Sequence, residues 1–408
     1  MVTRARLAQP GKQPAMSTQA ANSAALARIY AVRPQWRAVA AARDAVGLPD
    51  FTLLHAGPPY DDPRDPPAPV LSSAVMCCLH EDWAPTEAEA VRLIASGGVR
   101  LASAQSFGVV TPLAAVVSPS ATLVEVCDAN DPAHRAWSLL GSGAGPQIRF
   151  GTRNHALLER LEWRDTMLAS ALAEALESGP IDLLALAAAG LADGDDLHAR
   201  TTAATAALRE RLAPRMREPA VDTMLRETPL FFLTLWMAAC HLMMDAAASS
   251  GADPACTLVV ALAGNGRSVG VRLAGNPSRW STLAADAPRG PRLDAASQTL
   301  AAPLTGDSGV IDAAGFGAQA LSLAPEPAQA FAGWLPAAWR SEQPPLLAGA
   351  HPAFGGHRCA LDAAAVSSMR IAPLAAIAMI GADGRAGLLG RGLYAAPVEL
   401  FDAALHAQ

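Results

Sequence analysis

The feature that most constrains this chain is an apolar run over residues 229–248, Pro229-Leu-Phe-Phe-Leu-Thr-Leu-Trp-Met-Ala-Ala-Cys-His-Leu-Met-Met-Asp-Ala-Ala-Ala. A helix that is apolar on every side is typical either of a membrane span or of the central helix of a globular core. The run is nearly long enough to cross a bilayer, but His241 and Asp245 interrupt its second half and no arginine cluster flanks it. It therefore predicts a buried core helix in a protein that does not enter a membrane. His241 and Asp245, one helical turn apart, are expected to satisfy each other.

Composition supports a globular protein and argues against nucleic acid as its partner. The chain has 408 residues, of which 51% are hydrophobic and 17% charged. This length predicts two or three lobes, and the apolar content excludes a disordered protein. The net charge of −6, the absence of a basic run and an aromatic content of 5% argue against nucleic acid as a partner.

Lysine usage excludes several kinds of chemistry. Lys12 is the only lysine and lies in a leader rich in Gln, Pro and Ser. Schiff-base catalysis and a Walker phosphate loop both need a well-held lysine, so we expect no pyridoxal phosphate and no ATP. Arginine, histidine or backbone N–H groups must hold any anion. Residues 1–25 lack the apolar core of a signal peptide, and we expect them to form a disordered tail.

The cysteines predict neither disulfides nor a metal site. None of the six forms a CxxC pair. We interpret them as buried free thiols in a reducing cytoplasm. They are Cys77, Cys78, Cys127, Cys240, Cys256 and Cys359.

The pattern along the chain predicts a multi-lobed α+β fold with three regions after the tail. Residues 26–153 are expected to form a mixed α/β lobe, which opens with helical spacing over 26–47 and a short strand at Thr52–His55. Residues 154–250 are rich in Ala and Leu and predict a helical region. Residues 251–408 predict an α+β lobe with β-hairpins, because apolar strands flank the tight turn Gly264-Asn-Gly266.

Three short matches to known functional motifs are rejected, because the surrounding sequence lacks what each site needs. Gly264-x-Gly266-x-x-x-Gly270 is followed by a strand pattern and not by the helix that a dinucleotide site needs, so we expect no NAD. Gly306-Asp-Ser-Gly309 lacks the other parts of a serine-protease site. His80-Glu-Asp-Trp-Ala lacks the second histidine of a zinc-binding helix.

The strongest polar cluster is Gly194-Asp-Asp-Leu-His-Ala-Arg-Thr-Thr202, directly before an alanine-rich helix. Asp195 or Asp196 would cap that helix in a purely structural interpretation. In a functional interpretation, Asp196 and His198 are catalytic, while Arg200 and Thr201 bind an anion at the helix N-terminus. A metal bound by Asp195, Asp196 and His198 would lack a further suitably spaced ligand pair, so we predict no metal.

Other candidates lie at strand ends and turns, where small ligands are often bound. His55 ends a strand and is a candidate catalytic residue, although a lone histidine is also often structural. We expect His55 and the binding candidates that follow to converge with Asp196, His198 and Arg200 on one pocket between lobes. The candidate binding residues are Ser118, Ser120, Gly264, Asn265, Gly266, Asp307 and Ser308.

Several segments, in this order, resemble the bacterial oxamate carbamoyltransferase subunit family, and together they span roughly residues 30–400. They are Leu54-His-Ala-Gly-Pro-Pro59, Pro69-Val-Leu-Ser-Ser-Ala74, Pro112-Leu-Ala-Ala-Val-Val-Ser-Pro-Ser120, Arg149-Phe-Gly151, Gly194-Asp-Asp-Leu-His-Ala-Arg-Thr201, Phe231-Phe-Leu-Thr-Leu-Trp-Met-Ala-Ala239, Gly264-Asn-Gly266 and Gly306-Asp-Ser308. The resemblance implies an enzyme of purine and allantoin catabolism that works with other subunits. It would interconvert oxalurate plus phosphate with oxamate plus carbamoyl phosphate.

The sequence also departs from that family's pattern. The short α/β segment that usually opens such chains is not recognised here. Serine or threonine stands where the family pattern leads us to expect asparagine or an acidic residue, which would suit a changed substrate. These positions are Ser72 or Ser73, Ser106, Thr234 and Ser268.

A carbamoyl transfer needs an anion site, a group that polarises the carbonyl and a cation for the acceptor carboxylate. Arg200 with the helix start at Thr201 would hold phosphate. His55 would polarise the carbonyl or move a proton, and Arg149 or Arg272 would pair a carboxylate. A hydrolase of small cyclic or linear amides, a non-catalytic subunit of a complex and a homo-oligomer all stay open.

Overall fold

The structure is a computed structural model that describes residues 17–249 and 252–408. Its helices are α1 Thr18–Ala31, α2 Ala42–Ala45, α3 Ala68–His80, α4 Glu87–Ala95, α5 Ala156–Trp163, α6 Ala169–Leu176, α7 Leu183–Ala192, α8 Thr202–Leu212, α9 Pro219–Glu227, α10 Phe232–Ala247, α11 Gly309–Ala313, α12 Pro325–Ala330, α13 Trp339–Glu342, α14 Ala363–Met369 and α15 Val398–His406. Its strands are β1 Pro34–Ala41, β2 Thr52–His55, β3 Arg100–Ser103, β4 Val109–Val110, β5 Thr122–Asp128, β6 Arg135–Leu139, β7 Ile181–Asp182, β8 Val259–Asn265, β9 Ser268–Leu273, β10 Asn276–Ala284, β11 Thr305–Gly306, β12 Leu347–Ala350, β13 Arg358–Leu361, β14 Leu374–Ala375, β15 Met379–Ile380, β16 Leu388–Gly390 and β17 Tyr394–Ala395.

Two sheets organise the chain and confirm the α+β prediction. The first has the strand order β4-β6-β5-β1-β7, with all neighbours antiparallel except β4 and β6. The second has the order β10-β9-β8-β11 and is antiparallel throughout. Within it, β8 and β9 form the predicted hairpin around Gly266. Strands β2 and β3 form a separate parallel pair.

The apolar run forms the core helix α10, as predicted. Nearly every side chain from Phe232 to Ala247 is buried, against both sheets and α1. Trp236 lies at the centre of an aromatic group with Phe232, Phe316 and Phe354. Among the described residues no single helix is long and apolar enough to cross a membrane. Helices α9 and α10 pass that test only when taken together, and they are bent by 78° at their break.

His241 and Asp245 do not satisfy each other as expected. The carboxylate of Asp245 lies 3.4 Å from Nε2 of His134, and its side chain is largely exposed. His241 stays buried within the helix, and burial lowers its pKa to about 4. Its imidazole is therefore neutral near pH 7.

This buried histidine predicts a pH-dependent stability. With a pKa near 6.5 in the unfolded chain and about 4 in the fold, the unfolded chain binds more protons between these values. Stability is therefore lost as the pH falls through that window, by about 3 kcal/mol for this one group. Urea unfolding at pH 6.5 and pH 4.5 should show a smaller difference for His241→Leu than for the unsubstituted protein. Equal differences for the two proteins would contradict the prediction.

Two expectations about the N-terminal part need correction. Residues 34–41, predicted to be helical, form β1, a central strand that pairs with β5 and β7. Residues 18–25, predicted to belong to a disordered tail, form the first turns of α1. The amide of Asn22 donates to Thr257 and Asp362, which ties α1 to the C-terminal part. The rest of the predicted tail, residues 1–16, lies outside the described residues.

The predicted regions share their hydrophobic interiors. One large cluster extends from Ala21 to Ala360 and another from Ala42 to Ala404, and each contains residues of all three regions. The boundaries near residues 153 and 250 therefore stay a prediction from the sequence pattern. The hydrophobic clusters contain residues from both sides of each boundary.

Candidate active site

A cleft with about 1000 Å³ of empty space, part of which is open solvent, lies where all three regions meet. Its wall is largely apolar and includes Leu113, Leu230, Leu233 and Phe331. The polar residues on this wall are Arg149, His198, Arg200, Thr202, Ser308 and Arg391. No acidic side chain lines the cleft among the described residues, so its charge is positive. We call this space the cleft.

His198 is held by a buried aspartate. Its Nδ1 lies 2.7 Å from Oδ2 of Asp312, and both side chains are buried. The other oxygen of Asp312 accepts the backbone N–H groups of Ala318 (2.8 Å) and Ala376 (3.0 Å). Because a carboxylate with such donors only accepts, Nδ1 of His198 carries the proton and Nε2 is left as the basic nitrogen. Nε2 forms no hydrogen bond with any described residue.

The local backbone explains why the pair is so closely packed. Leu197, just before His198, has a φ of +67°, which non-glycine residues rarely adopt. Gly317 lies so close that a Cβ there would meet Oδ1 of Asp312 at 2.3 Å and Cβ of His198 at 2.9 Å. Only glycine fits at that position. The N–H of Gly317 donates to the carbonyl of Asp196 at 2.7 Å, which holds the two segments together.

The three arginines of the cleft differ in their partners. Arg200 pairs with Asp195 at 2.8 Å, and Arg391 pairs with Glu326 at 2.7 Å. Arg149 has no carboxylate within ion-pair distance and no side-chain hydrogen bond in the described part of the chain, and its Nε is buried. Burial lowers the pKa of Arg149 to about 10, so the group is still cationic near pH 7. A guanidinium at this depth that has no partner among the described residues can bind an anion through charge-assisted hydrogen bonds.

The predicted anion site at the start of α8 is occupied by the protein itself. Oδ2 of Asp195 accepts the N–H of Ala204 at 2.8 Å, so Asp195 caps the helix, as the structural interpretation predicted. Oδ1 of Asp196 accepts the N–H groups of His198 and Arg200, which shapes the turn that presents His198. The hydroxyl of Thr201 donates to the carbonyl of Pro229 at 3.1 Å. Neither Asp196 nor Thr201 lines the cleft.

A second group of predicted residues forms a solid junction beside the cleft. Asp307 is fully buried, and its carboxylate accepts the N–H groups of Gly57 (2.9 Å) and Thr111 (2.9 Å) and the amide of Gln105 (2.6 Å). Burial raises its pKa to about 6. Arg272 donates to the side-chain carbonyl of Gln105 at 2.5 Å and so helps to hold the amide that bonds Asp307.

His55, Gly264, Asn265 and Gly266 belong to the same junction. His55 bonds the carbonyl of Ala56 through Nδ1 (2.8 Å) and stacks on Tyr60, and burial lowers its pKa to about 4. The amide of Asn265 donates to the carbonyl of Pro58. Gly57 approaches Gly264 so closely that a Cβ on Gly57 would lie 2.5 Å from the Gly264 carbonyl carbon. The single shared pocket that we expected is therefore not formed.

Ser118 and Ser120 lie elsewhere. Leu54 of β2 bridges Val117 in an antiparallel sense, which directs the following residues toward the opposite end of β2 from His55. There the hydroxyl and the N–H of Ser120 both donate to Glu81, at 2.5 and 2.8 Å. Both serines therefore lie away from the cleft.

His198, Arg200 and Ser308 are thus the predicted site residues that the cleft brings together, with Arg149 of the predicted carboxylate pair. Asp312 and Arg391 were missed. Asp312 is an acid in the apolar segment Val310-Ile-Asp-Ala313, and a charge in such a segment is a usable signal. Arg391 had no distinguishing signal.

Fold and cleft define a class of mixed α+β protein whose cationic cleft carries an Asp–His pair. Residues 99–308 match the family described as oxamate carbamoyltransferase subunit AllG. The chain is 31% identical to the oxamate carbamoyltransferase subunit AllG of Escherichia coli (strain K12), over 96% of this chain and 97% of that protein. It belongs to this family.

Two further proteins share the fold or the sequence pattern. The uncharacterized protein YahG of the same organism is 27% identical over 95% of this chain and 85% of its own length. A conserved protein of unknown function from Enterococcus faecalis V583 has a crystal structure with a TM-score of 0.88 and 24% identity. The similarity covers 96% of this chain and 97% of that one, and it concerns the fold alone.

Proposed function

We propose that the cleft binds a small amide that carries a carboxylate, of the oxamate or oxalurate type, and that the chain takes part in carbamoyl transfer. The observation that carries this proposal is that Arg149, which has no partner among residues 17–249 and 252–408, lies in the same cleft as the Asp312–His198 pair. A planar guanidinium matches a carboxylate with two parallel hydrogen bonds. The family of the chain supports a role associated with a carbamoyltransferase.

The proposed reaction needs one proton to move. An oxygen of hydrogen phosphate attacks the carbamoyl carbon of oxalurate, and the bond from that carbon to the oxamate nitrogen breaks. The proton that phosphate loses is delivered to this nitrogen, so that oxamate leaves as a neutral amide with its carboxylate. His198 would accept the proton on Nε2 and return it, while Asp312 stabilises the imidazolium. Charge is balanced at three negative charges on each side.

The proposal also includes partner subunits. Because the relative is named as a subunit, we propose that this chain acts with further enzyme subunits in the cytoplasm. Turnover of oxalurate by the chain alone and by the reconstituted complex separates the open alternatives. Release of oxamate without phosphate would favour a hydrolase. Full activity of a complex that contains His198→Asn would favour a non-catalytic subunit.

Oxamate binding tests the site directly. Arg149→Met should weaken the binding of oxamate to the isolated chain by roughly 10- to 100-fold in calorimetry, because a charge-assisted pair contributes about 1.5–3 kcal/mol. Arg153→Met is the matched control, since it removes the same charge from a half-buried arginine that pairs with Glu87 outside the cleft. If Arg149→Met binds oxamate as tightly as the control, the carboxylate site is wrong.

A further inference from the structure

A second, smaller cavity lies on the other side of Arg149. It has about 440 Å³ of empty space, part of which is open solvent, and shares Pro112, Arg149 and Leu230 with the cleft. The rest of its wall includes the end of β6, the beginning of α10 and the first three residues of the loop Gly141-Ser-Gly-Ala-Gly145. We call it the side cavity and this segment the glycine loop.

The backbone N–H groups of the glycine loop are unused. The last N–H that pairs with the sheet is that of Leu140, which donates to Thr122 at 3.0 Å. From Gly141 to Gly145 no N–H donates to any described residue; Ser142 and Gly143 are buried, whereas Ala144 and Gly145 are exposed. The loop's carbonyls are used, since Ser142 accepts from Arg160 at 2.6 Å and Gly143 accepts from the side chain of Gln147. Buried N–H groups usually have an acceptor, so those of Ser142 and Gly143 are available to bind an oxygen atom of a ligand.

The shape of the loop suits an anion. Gly143 has a φ of +90° and Gly145 a φ of +94°, in the left-handed region. Alternation of such residues with ordinary ones makes a concave run of N–H groups of the kind that binds phosphate. Only small side chains line this part of the cavity, so a ligand can reach the backbone.

The charge around the side cavity is also unbalanced. Arg164 is in the wall, but its guanidinium is paired twice with Asp165, at 2.7 Å each. Arg149 is the cation of this wall that no described carboxylate neutralises. The hydroxyls of Ser142 and Thr234 form no hydrogen bond with the described residues and are free to donate.

We propose that the side cavity is a subsite for a tetrahedral oxyanion, either inorganic phosphate or the phosphoryl group of carbamoyl phosphate. Arg149 lies between the two spaces and would neutralise a phosphoryl oxygen on one side and a carboxylate on the other. The role of Arg149 in binding a carboxylate rests on the proposed function, whereas the binding of phosphate in the side cavity does not. This subsite replaces the expected phosphate site at Thr201, where Asp195 already holds the helix start.

The sharpest test adds a negative charge to the loop. Gly141 lines the side cavity and not the cleft, and a Cβ there would meet only Phe231, at 3.9 Å. Gly141→Asp therefore fits without strain, and its carboxylate should repel an oxyanion. Gly141→Asn is the control of equal size without charge. Binding of inorganic phosphate and of phosphonoacetamide, a stable analogue of carbamoyl phosphate, is measured by calorimetry, and so is binding of oxamate.

Gly141→Asp and Arg149→Met should each weaken phosphate binding by about tenfold or more, because the first adds a like charge beside the phosphate and the second removes its cation. Gly141→Asn and Arg153→Met should bind both phosphate and oxamate like the unsubstituted chain. Tighter binding of phosphonoacetamide than of phosphate assigns the site to carbamoyl phosphate, and the reverse assigns it to free phosphate. Phosphate binding that Gly141→Asp leaves unchanged, or none by the unsubstituted chain, overturns the subsite. If phosphate binds as described but oxamate does not, the subsite stands and the proposed carboxylate site fails.

Discussion

Asp307→Ala is expected to lower the free energy of unfolding by about 4 kcal/mol, because it leaves three buried donors without an acceptor. These donors, on Gly57, Gln105 and Thr111, come from three separate segments of the chain. Urea unfolding followed by circular dichroism measures the loss. Asp307→Asn should lose less, since its carbonyl still serves Gly57 and Gln105 while its amide faces the N–H of Thr111.

The control for this prediction is Asp61→Ala, which removes an exposed carboxylate that accepts no hydrogen bond from the described residues. It should change the free energy of unfolding by less than about 0.5 kcal/mol. A loss below 1 kcal/mol for Asp307→Ala would mean that water replaces the carboxylate in the junction, and that the junction is not what holds these segments.

His198→Asn is expected to reduce carbamoyl transfer by the reconstituted complex by roughly 10²- to 10⁴-fold, the usual contribution of a positioned acid–base group. Its affinity for oxamate should stay close to that of the unsubstituted chain, because Arg149 and not His198 is proposed to hold the carboxylate. The measurement is kcat and KM for carbamoyl phosphate formation across pH 5.5 to 9. Partial rescue by added imidazole would identify the lost group as the proton carrier.

Two variants separate chemistry from structure at this position. Asp312→Asn tests a positioning residue, and it should lower kcat and shift its pH profile while it leaves KM nearly unchanged. His406→Asn is the control, because this exposed histidine lies near the C-terminus and bonds the carbonyl of Asp402. A loss of less than tenfold for His198→Asn would remove acid–base catalysis from the proposal.

The parts of the fold that sequence predicts are those governed by local pattern. The apolar run could only be a membrane span or a core helix, and His241 with Asp245 decided between them. Gly264-Asn-Gly266 defines a turn by its own backbone preferences. Strand β1, in contrast, contains the helix-favouring stretch Ala38-Val-Ala-Ala41, and it becomes a strand because β5 and β7 pair with it. Tertiary pairing of this kind overrides propensity and leaves no local signal.

The same distinction explains the candidate site. His198, Arg200 and Ser308 could be identified because they lie at turns and element ends, where functional side chains are often found. Which side a turn residue faces depends on the segment packed against it, and that information is absent from the turn itself. Asp196 and His198 are two residues apart, yet one shapes the turn and the other opens into the cleft. Asp312 could be paired with His198 only once Gly317 had brought their segments together.

One peptide bond separates Asp307, which holds the junction, from Ser308, which lines the cleft. The chain is fixed on both sides of Ser308. Three donors hold the carboxylate of Asp307, and the helix α11 that follows carries Asp312. A one-residue insertion or deletion between residues 306 and 312 would move either the junction or the partner of His198. We therefore expect relatives of this chain to differ by substitutions in this segment, and to differ in length in exposed loops elsewhere.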